Sequence, residues 1–393
     1  MLNSLKGISL ESVSRDSYWL FLMTALLSAS GGMYNYFKLS PLIPSIIEEL
    51  RFSYGLVGLL AGSFGLLQLV LSIPMGVMVR RQNLKKATIY SLIFMIVGAL
   101  IAGVASDLYL LFVGRLIEGA GTALALVTAP FLVAEISVKE RVWFGLGVLM
   151  IYMPTGNILG LNVSSWSLKL FGWRGAWLTG IILPALALPL VFKMKPIERR
   201  ISGEQNTSAK SKGLEGWLIS LLQVGCTITT MGFLMWVPTY MIESYSFDVS
   251  VASFIASLFM VIGIPTPLIG AWFCNKMMSR KVVLVSSFGA LTLLYPLTTF
   301  TPSQLLPLHI LAAGFFTGIL PSVIHICVVD IFGASSNVGF GILNASRGFS
   351  LLLGPLLLGT VLNATSSWML SFSSLSLFAF LALIASLFLP RVK

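Results

Sequence analysis

Twelve times along this chain, about twenty residues pass with almost no charge. A helix needs roughly 20 mostly apolar residues to cross the hydrocarbon core of a bilayer. The runs fall at 17–39, 53–79, 85–105, 108–134, 142–168, 173–193, 215–240, 250–275, 281–300, 304–329, 337–361 and 366–390. The pattern points to an all-α integral membrane protein with twelve spans. Composition agrees: 56% of the 393 residues are hydrophobic and 10% charged, against about 25% charged in a soluble domain. The net charge of +11 does not imply nucleic acid, because the basic residues punctuate the apolar runs instead of forming one face. The first 16 residues are polar, and no small-residue cleavage pattern follows the run that opens at Tyr18. That run is therefore expected to be retained as the first span.

One connection stands out. KMKPIERRISGEQNTSAKSKG (193–213) is long and polar, whereas the other connections are short. It divides the chain into a first six-span unit (1–192), a linker (193–214) and a second six-span unit (215–393). Nineteen of the 25 Lys and Arg fall on the side that holds both ends of the chain and this linker, and four on the other. Positive charge favours the cytoplasmic side, so the expected location is the cytoplasmic membrane with both termini inside.

The two units repeat. PSIIEELRFSYGLVGLLAGSFGLLQLVLSIPMG (44–76) and PTYMIESYSFDVSVASFIASLFMVIGIPTPLIG (238–270) both run from proline to glycine, with Glu49 and Glu243 five residues in. Phe52 and Phe247 follow, then small residues four apart, Gly58 and Gly62 against Ser253 and Ser257. Each copy enters a basic loop, RRQNLKK (80–86) or NKMMSRK (275–281). Parallel six-span repeats suit a transporter whose site lies near mid-membrane between the units.

With these features the chain resembles the major facilitator superfamily over nearly its whole length. The loops carry that family's glycine-plus-basic motif: Gly76, Arg80 and Arg81 in one, Gly270, Lys276 and Arg280 in the other. Arg80 stands near the position where the family usually has aspartate. GRLIEGAG (114–121) is similar to the family's fourth-span motif, FGWRGAW (171–177) to its entry into span six, and LLLGPLLLG (351–359) to its span-eleven pattern. YMPTGNILG (152–160) keeps Pro154, Gly156 and Gly160 but not the full motif of many exporters. The resemblance implies two pseudo-symmetric six-helix bundles, alternating access, and conformational gating by the loop residues.

Candidate site residues follow from charge inside the spans, which costs roughly 2.5–3.5 kcal/mol at a helix centre. Arg115 lies about seven residues into span four, roughly 10 Å at 1.5 Å per residue, with Glu118 on the same helix face. They read either as a self-neutralising pair or, by the resemblance, as a substrate-facing arginine with an ion-coupling carboxylate. Arg347 has no acid within a turn. It either bonds carbonyls and hydroxyls of neighbouring helices or captures an anion, for which guanidinium is suited. Lys38 closes span one: it snorkels to the outer interface or turns inward, where Tyr34, Asn35 and Tyr36 beside it would supply polar contacts and an aromatic wall. Gln223, Thr227 and Thr230 form a stripe on span seven, and Asn157 and Asn344 are further polar candidates. His325 is a candidate proton carrier; His309 falls near an interface.

The expected function is secondary transport of a small organic anion with proton or ion coupling, by a monomer. Efflux of lipophilic drugs is the alternative, although exporters of cationic drugs tend to carry an acid in span one and residues 17–39 contain none. A membrane enzyme or a metal site would need clustered His, Cys or acids; two scattered histidines and Cys226, Cys274 and Cys327 do not supply them. No cofactor is expected.

Overall fold

The computed structural model describes residues 15–81, 83–136, 139–194, 213–276, 279–333 and 336–389. It is all-helical: α1 (Arg15–Phe37), α2 (Ile43–Leu50), α3 (Tyr54–Arg81), α4 (Leu84–Gly103), α5 (Leu108–Ile136), α6 (Lys139–Leu149), α7 (Tyr152–Leu178) and α8 (Ile182–Lys193) form a first set. The second set is α9 (Gly213–Tyr245), α10 (Val249–Ile262), α11 (Thr266–Lys276), α12 (Arg280–Leu297), α13 (Leu306–Phe332), α14 (Ser336–Thr365) and α15 (Trp368–Leu387). Among the described residues, nine helical stretches are long and apolar enough to cross a membrane. One of them, Phe144–Lys193, contains both the fifth and sixth apolar runs. The chain breaks within it at Gly172, whose φ of 67° suits a residue without a Cβ. The first two runs are occupied by α1 and α3.

The breaks inside spans have local causes. The fifth run divides at Met150–Ile151, just before Pro154, and the eighth divides between α10 and α11 at Gly263–Pro265. Pro355 is carried inside a continuous α14.

The repeat is visible in the backbone. Arg51 and Ser246, at matched positions, each adopt a left-handed φ (52° and 55°) immediately before Phe52 and Phe247. Each copy then starts a helix that packs across to the other set: α3 on α14, and α10 on α7. The first of these contacts depends on missing side chains. A Cβ on Gly58 would lie 2.7 Å from Pro355 O, and one on Gly65 2.7 Å from Leu352 N; one on Gly62 would collide with Leu352 O. The basic loops share a further feature. Lys85 Nζ, at the start of α4, donates to Phe192 O (2.8 Å) in the last turn of α8 and to Met194 O (2.6 Å) just past it. Lys281, at the start of α12, likewise donates to Leu387 O at the end of α15. A cation placed on orphan C-terminal carbonyls is favourable.

Polar contacts between the sets gather at the end of the bundle that carries α2. Lys169 pairs with Asp248 (2.6 Å), and the ammonium holds that carboxyl below the usual aspartate range. Tyr54 donates to Glu243 Oε1 (2.8 Å). Ser40 Oγ donates to Met235 O (2.7 Å) and Leu234 O (3.0 Å). Leu234 O is the carbonyl that Pro238, lacking an N–H, leaves free in α9.

The tight α3–α14 contact predicts a sharp position dependence. Gly62→Leu should destabilise detergent-purified protein by about 1–3 kcal/mol or more, seen as a lower melting temperature and loss of a monodisperse peak. Gly147→Ala, with nothing within 4 Å of its Cβ position, should leave both unchanged.

Candidate functional site

Helix α1 stops at Phe37, followed by a 3-10 turn at Ser40–Leu42 and the prolines Pro41 and Pro44. Its last carbonyls have no helical partners and carry the negative end of the helix dipole. Arg115, from α5, occupies this position: one terminal nitrogen donates to Asn35 O (2.6 Å) and the other to Tyr36 O (3.3 Å). The guanidinium also lies 4.7 Å from the Phe64 ring centre and 5.5 Å from that of Trp177.

Lys38 follows directly and turns inward. Its ammonium donates to Glu118 Oε1 (2.7 Å), Asn35 Oδ1 (2.6 Å) and Trp177 O (3.0 Å), the last a carbonyl in the final turn of α7. Glu118 thus serves two cations, since its other oxygen faces Arg115 at 3.2 Å. Trp177 Nε1 adds a third donor at 3.0 Å. Lys38, Arg115 and Glu118 are all 0% exposed. The Asn35 amide completes the frame, donating to Gly31 O (3.0 Å) and Gly180 O (3.1 Å). A Cβ at Gly180 would collide with Asn35 Oδ1 and Lys38 Nζ, so that glycine is part of the arrangement. The glycines of GRLIEGAG bring α5 into place: Gly119 abuts Phe64 O of α3, and Gly114 and Gly121 abut α4 at Ala102 and Ser91.

Of the sequence candidates, Lys38, Arg115 and Glu118 therefore form one cluster, and Tyr34 borders it, donating to Thr179 Oγ1 (2.6 Å). The interface reading of Lys38 does not hold: the side chain is fully buried, and its ammonium is enclosed by Asn35, Glu118 and Trp177. The self-neutralising Arg115–Glu118 pair is present, but the shorter contact of Glu118 is to Lys38. Asn157, on α7, is fully buried. Gln223 is buried on α9 and donates to Thr227 (2.6 Å).

Arg347, half-buried on α14, lies within electrostatic reach of Cys226 on α9 and His325 on α13. Among the described residues no carboxylate pairs with it; the ion pairs there involve other cations. His325 contacts Pro321 O (2.5 Å) through Nδ1 and the Phe340 ring. Asn344 is exposed. His309 is tied down by Thr298, Thr301 and Leu294 O at 3.0–3.1 Å. Gly270 packs against Ile319 and Ser322, and Arg280 pairs with Asp330. The side chains of Arg80, Arg81 and Lys276, and the surroundings of Gly76, lie outside the described residues. Asn35, a polar neighbour of Lys38 in the sequence, does contact its ammonium; sequence reasoning missed Trp177 and Gly180, although Trp177 stands in the quoted FGWRGAW, because its adjacency to Glu118 is not visible from spacing.

The family model described as Major Facilitator Superfamily matches residues 20–311 and 219–393. The chain belongs to the major facilitator superfamily. It is a secondary transporter of that family, with a small-molecule substrate, and not an enzyme. Among its relatives is a probable sulfoacetate transporter of Cupriavidus necator, 23% identical, with 90% of this chain and 89% of that one covered. Another is a nitrite extrusion protein of Bacillus subtilis, also 23% identical, with 89% of each covered. Its fold is similar to that of a bacterial homologue of the human lysosomal transporter Spinster, a structure solved in an inward-facing and occupied conformation. The TM-score is 0.81 at 15% identity, covering 96% of this chain and 97% of that one.

The cluster predicts a cost for losing one donor. Trp177→Phe keeps a ring beside both cations but removes the N–H to Glu118. It should lower stability by about 1.5–3 kcal/mol, whereas Trp166→Phe, at an exposed position, should stay within about 0.5 kcal/mol. Thermal unfolding in detergent checks both.

Proposed function

We propose that this transporter moves small organic anions across the cytoplasmic membrane, with a proton or another ion as the coupled species. The observation that carries the reading is a surplus of buried positive charge. Lys38 and Arg115 share the single carboxylate of Glu118 with all three out of solvent. Arg347, in the other set, has no carboxylate partner among the described residues. Isolated positive charge inside a membrane protein favours an anionic ligand, and guanidinium matches carboxylate or sulfonate oxygens two at a time. The sulfoacetate and nitrite relatives handle anions by name, which supports the same class. An exporter of lipophilic cations would want an acid where 17–39 has none.

In this reading the units 1–192 and 215–393, joined by 193–214, rock as bodies about an anion held between them, with both termini cytoplasmic. Arg347 is the principal anion contact, supported by Gln223 and Asn344. Tyr34, Lys38 and Arg115 form the facing positive wall. Glu118 is the coupling carboxylate, because a proton on it would release Lys38; His325, beside Arg347, is the second candidate. The loop residues Gly76, Arg80, Arg81, Gly270, Lys276 and Arg280 act in gating, and the protein works as a monomer.

The test is uptake of radiolabelled carboxylates and sulfonates into proteoliposomes. Arg347→Ala should cut uptake at least about a hundredfold, the loss of a charge-assisted bidentate contact, and Arg347→Lys should retain part of it. Normal uptake of every transported anion by Arg347→Ala would remove Arg347 from the site.

A further inference from the structure

Asn157 is the most conspicuous polar residue that the charged cluster does not use. It lies about midway between the start of the fifth apolar run and the break at Gly172, and it is 0% exposed. Neither its amide nitrogen nor its amide oxygen has a hydrogen-bond partner among the described residues. Buried amides are nearly always paired, and an unpaired one is strongly unfavourable. The neighbouring Gly156 shows what stands opposite. A Cβ there would lie 2.6 Å from Ser30 O and 2.8 Å from Tyr34 N, so this turn of α7 abuts residues 30–34 of α1. Ser30 Oγ, on that stretch of α1, is likewise buried and unpartnered. Two orphaned polar side chains therefore flank one contact, on the helix that leads to Lys38.

We infer that Asn157 is a specificity-determining residue that binds an uncharged hydrogen-bonding group, such as a hydroxyl, on the transported anion. The inference rests on the anion reading above and narrows it. An amide offers one donor group and one acceptor, which matches a hydroxyl and gives no preference for a second negative charge. The charged end of the substrate goes to the cations; the amide reads what else the molecule carries. A site built to pair with a hydroxyl discriminates against the analogue that lacks it, because its own buried groups then stay unpaired.

The experiment compares matched probes in proteoliposomes: lactate with propionate, malate with succinate, and 2-hydroxyethanesulfonate with ethanesulfonate. Wild-type protein should favour the hydroxylated member of at least one transported pair by about fivefold or more in kcat/KM, the worth of one neutral hydrogen bond. Asn157→Leu should bring that ratio close to one while leaving uptake of the unhydroxylated member within about twofold. Its melting temperature should be equal or higher, since orphaned polar atoms are gone. If Asn157→Leu does not fold, Asn157→Ala is read by the same ratio. A wild-type ratio within about twofold for every transported pair overturns the inference, as does a variant that folds and keeps the wild-type ratio. Both of these results leave anion transport intact. Failure of wild-type protein to take up any of the probes overturns the anion reading itself and this inference with it.

Discussion

An ammonium and a guanidinium share one carboxylate at the heart of the first helical set, and the local geometry is arranged around that shortage. Two cations against one anion would be intolerable in a uniformly apolar interior. They are accommodated because two helices end there. The free carbonyls of α1 receive Arg115, and a carbonyl in the last turn of α7 receives Lys38. The faces of Phe64 and Trp177 add negative quadrupole beside the remaining charge. Helix ends thus act as partial anions, and the position of Lys38, one residue past the last turn of α1, follows from that need.

Close approach of backbones is the second requirement. Arg115 and Glu118 reach α1 only because the glycines of GRLIEGAG let α5 press against α3 and α4. Gly156 and Gly160 do the same for α7 against α1. The same device serves the contact between sets, where Gly58, Gly62 and Gly65 admit α14. In lipid, where apolar burial gives little drive for helix association, such contacts supply the packing energy. An interface made of backbone against backbone has few side chains to rearrange, which suits surfaces that separate and rejoin during transport.

Much of this was legible in the sequence for a physical reason: lipid leaves few ways to satisfy a backbone, so apolar runs translate almost directly into helices. The repeat at 44–76 and 238–270 reappears as matched left-handed residues, Arg51 and Ser246, and as matched packing of α3 and α10 across the sets. Charges inside apolar runs marked Arg115, Glu118 and Arg347 as unusual. Lys38 was ambiguous because depth was judged from distance to the end of an apolar run. Its burial comes from Glu118 of α5 and Trp177 of α7 closing over the end of α1, and that convergence is a tertiary fact. Asn35 was legible as a polar neighbour of Lys38, whereas Trp177 and Gly180 were invisible, since nothing in their spacing reports that α1, α5 and α7 converge.

The central claim is that Lys38 and Glu118 are each other's charge partner inside the protein. A double-mutant cycle in thermal stability tests it, with Lys38→Met, Glu118→Gln and the pair together. Glu118→Gln alone leaves two buried cations without a carboxylate and should cost about 3–5 kcal/mol, more than Lys38→Met, which leaves the Arg115–Glu118 pair. The double variant should recover much of that loss, giving a coupling of about 1–3 kcal/mol. Effects that simply add, or a Lys38→Met cost equal to that of Glu118→Gln, would contradict the account.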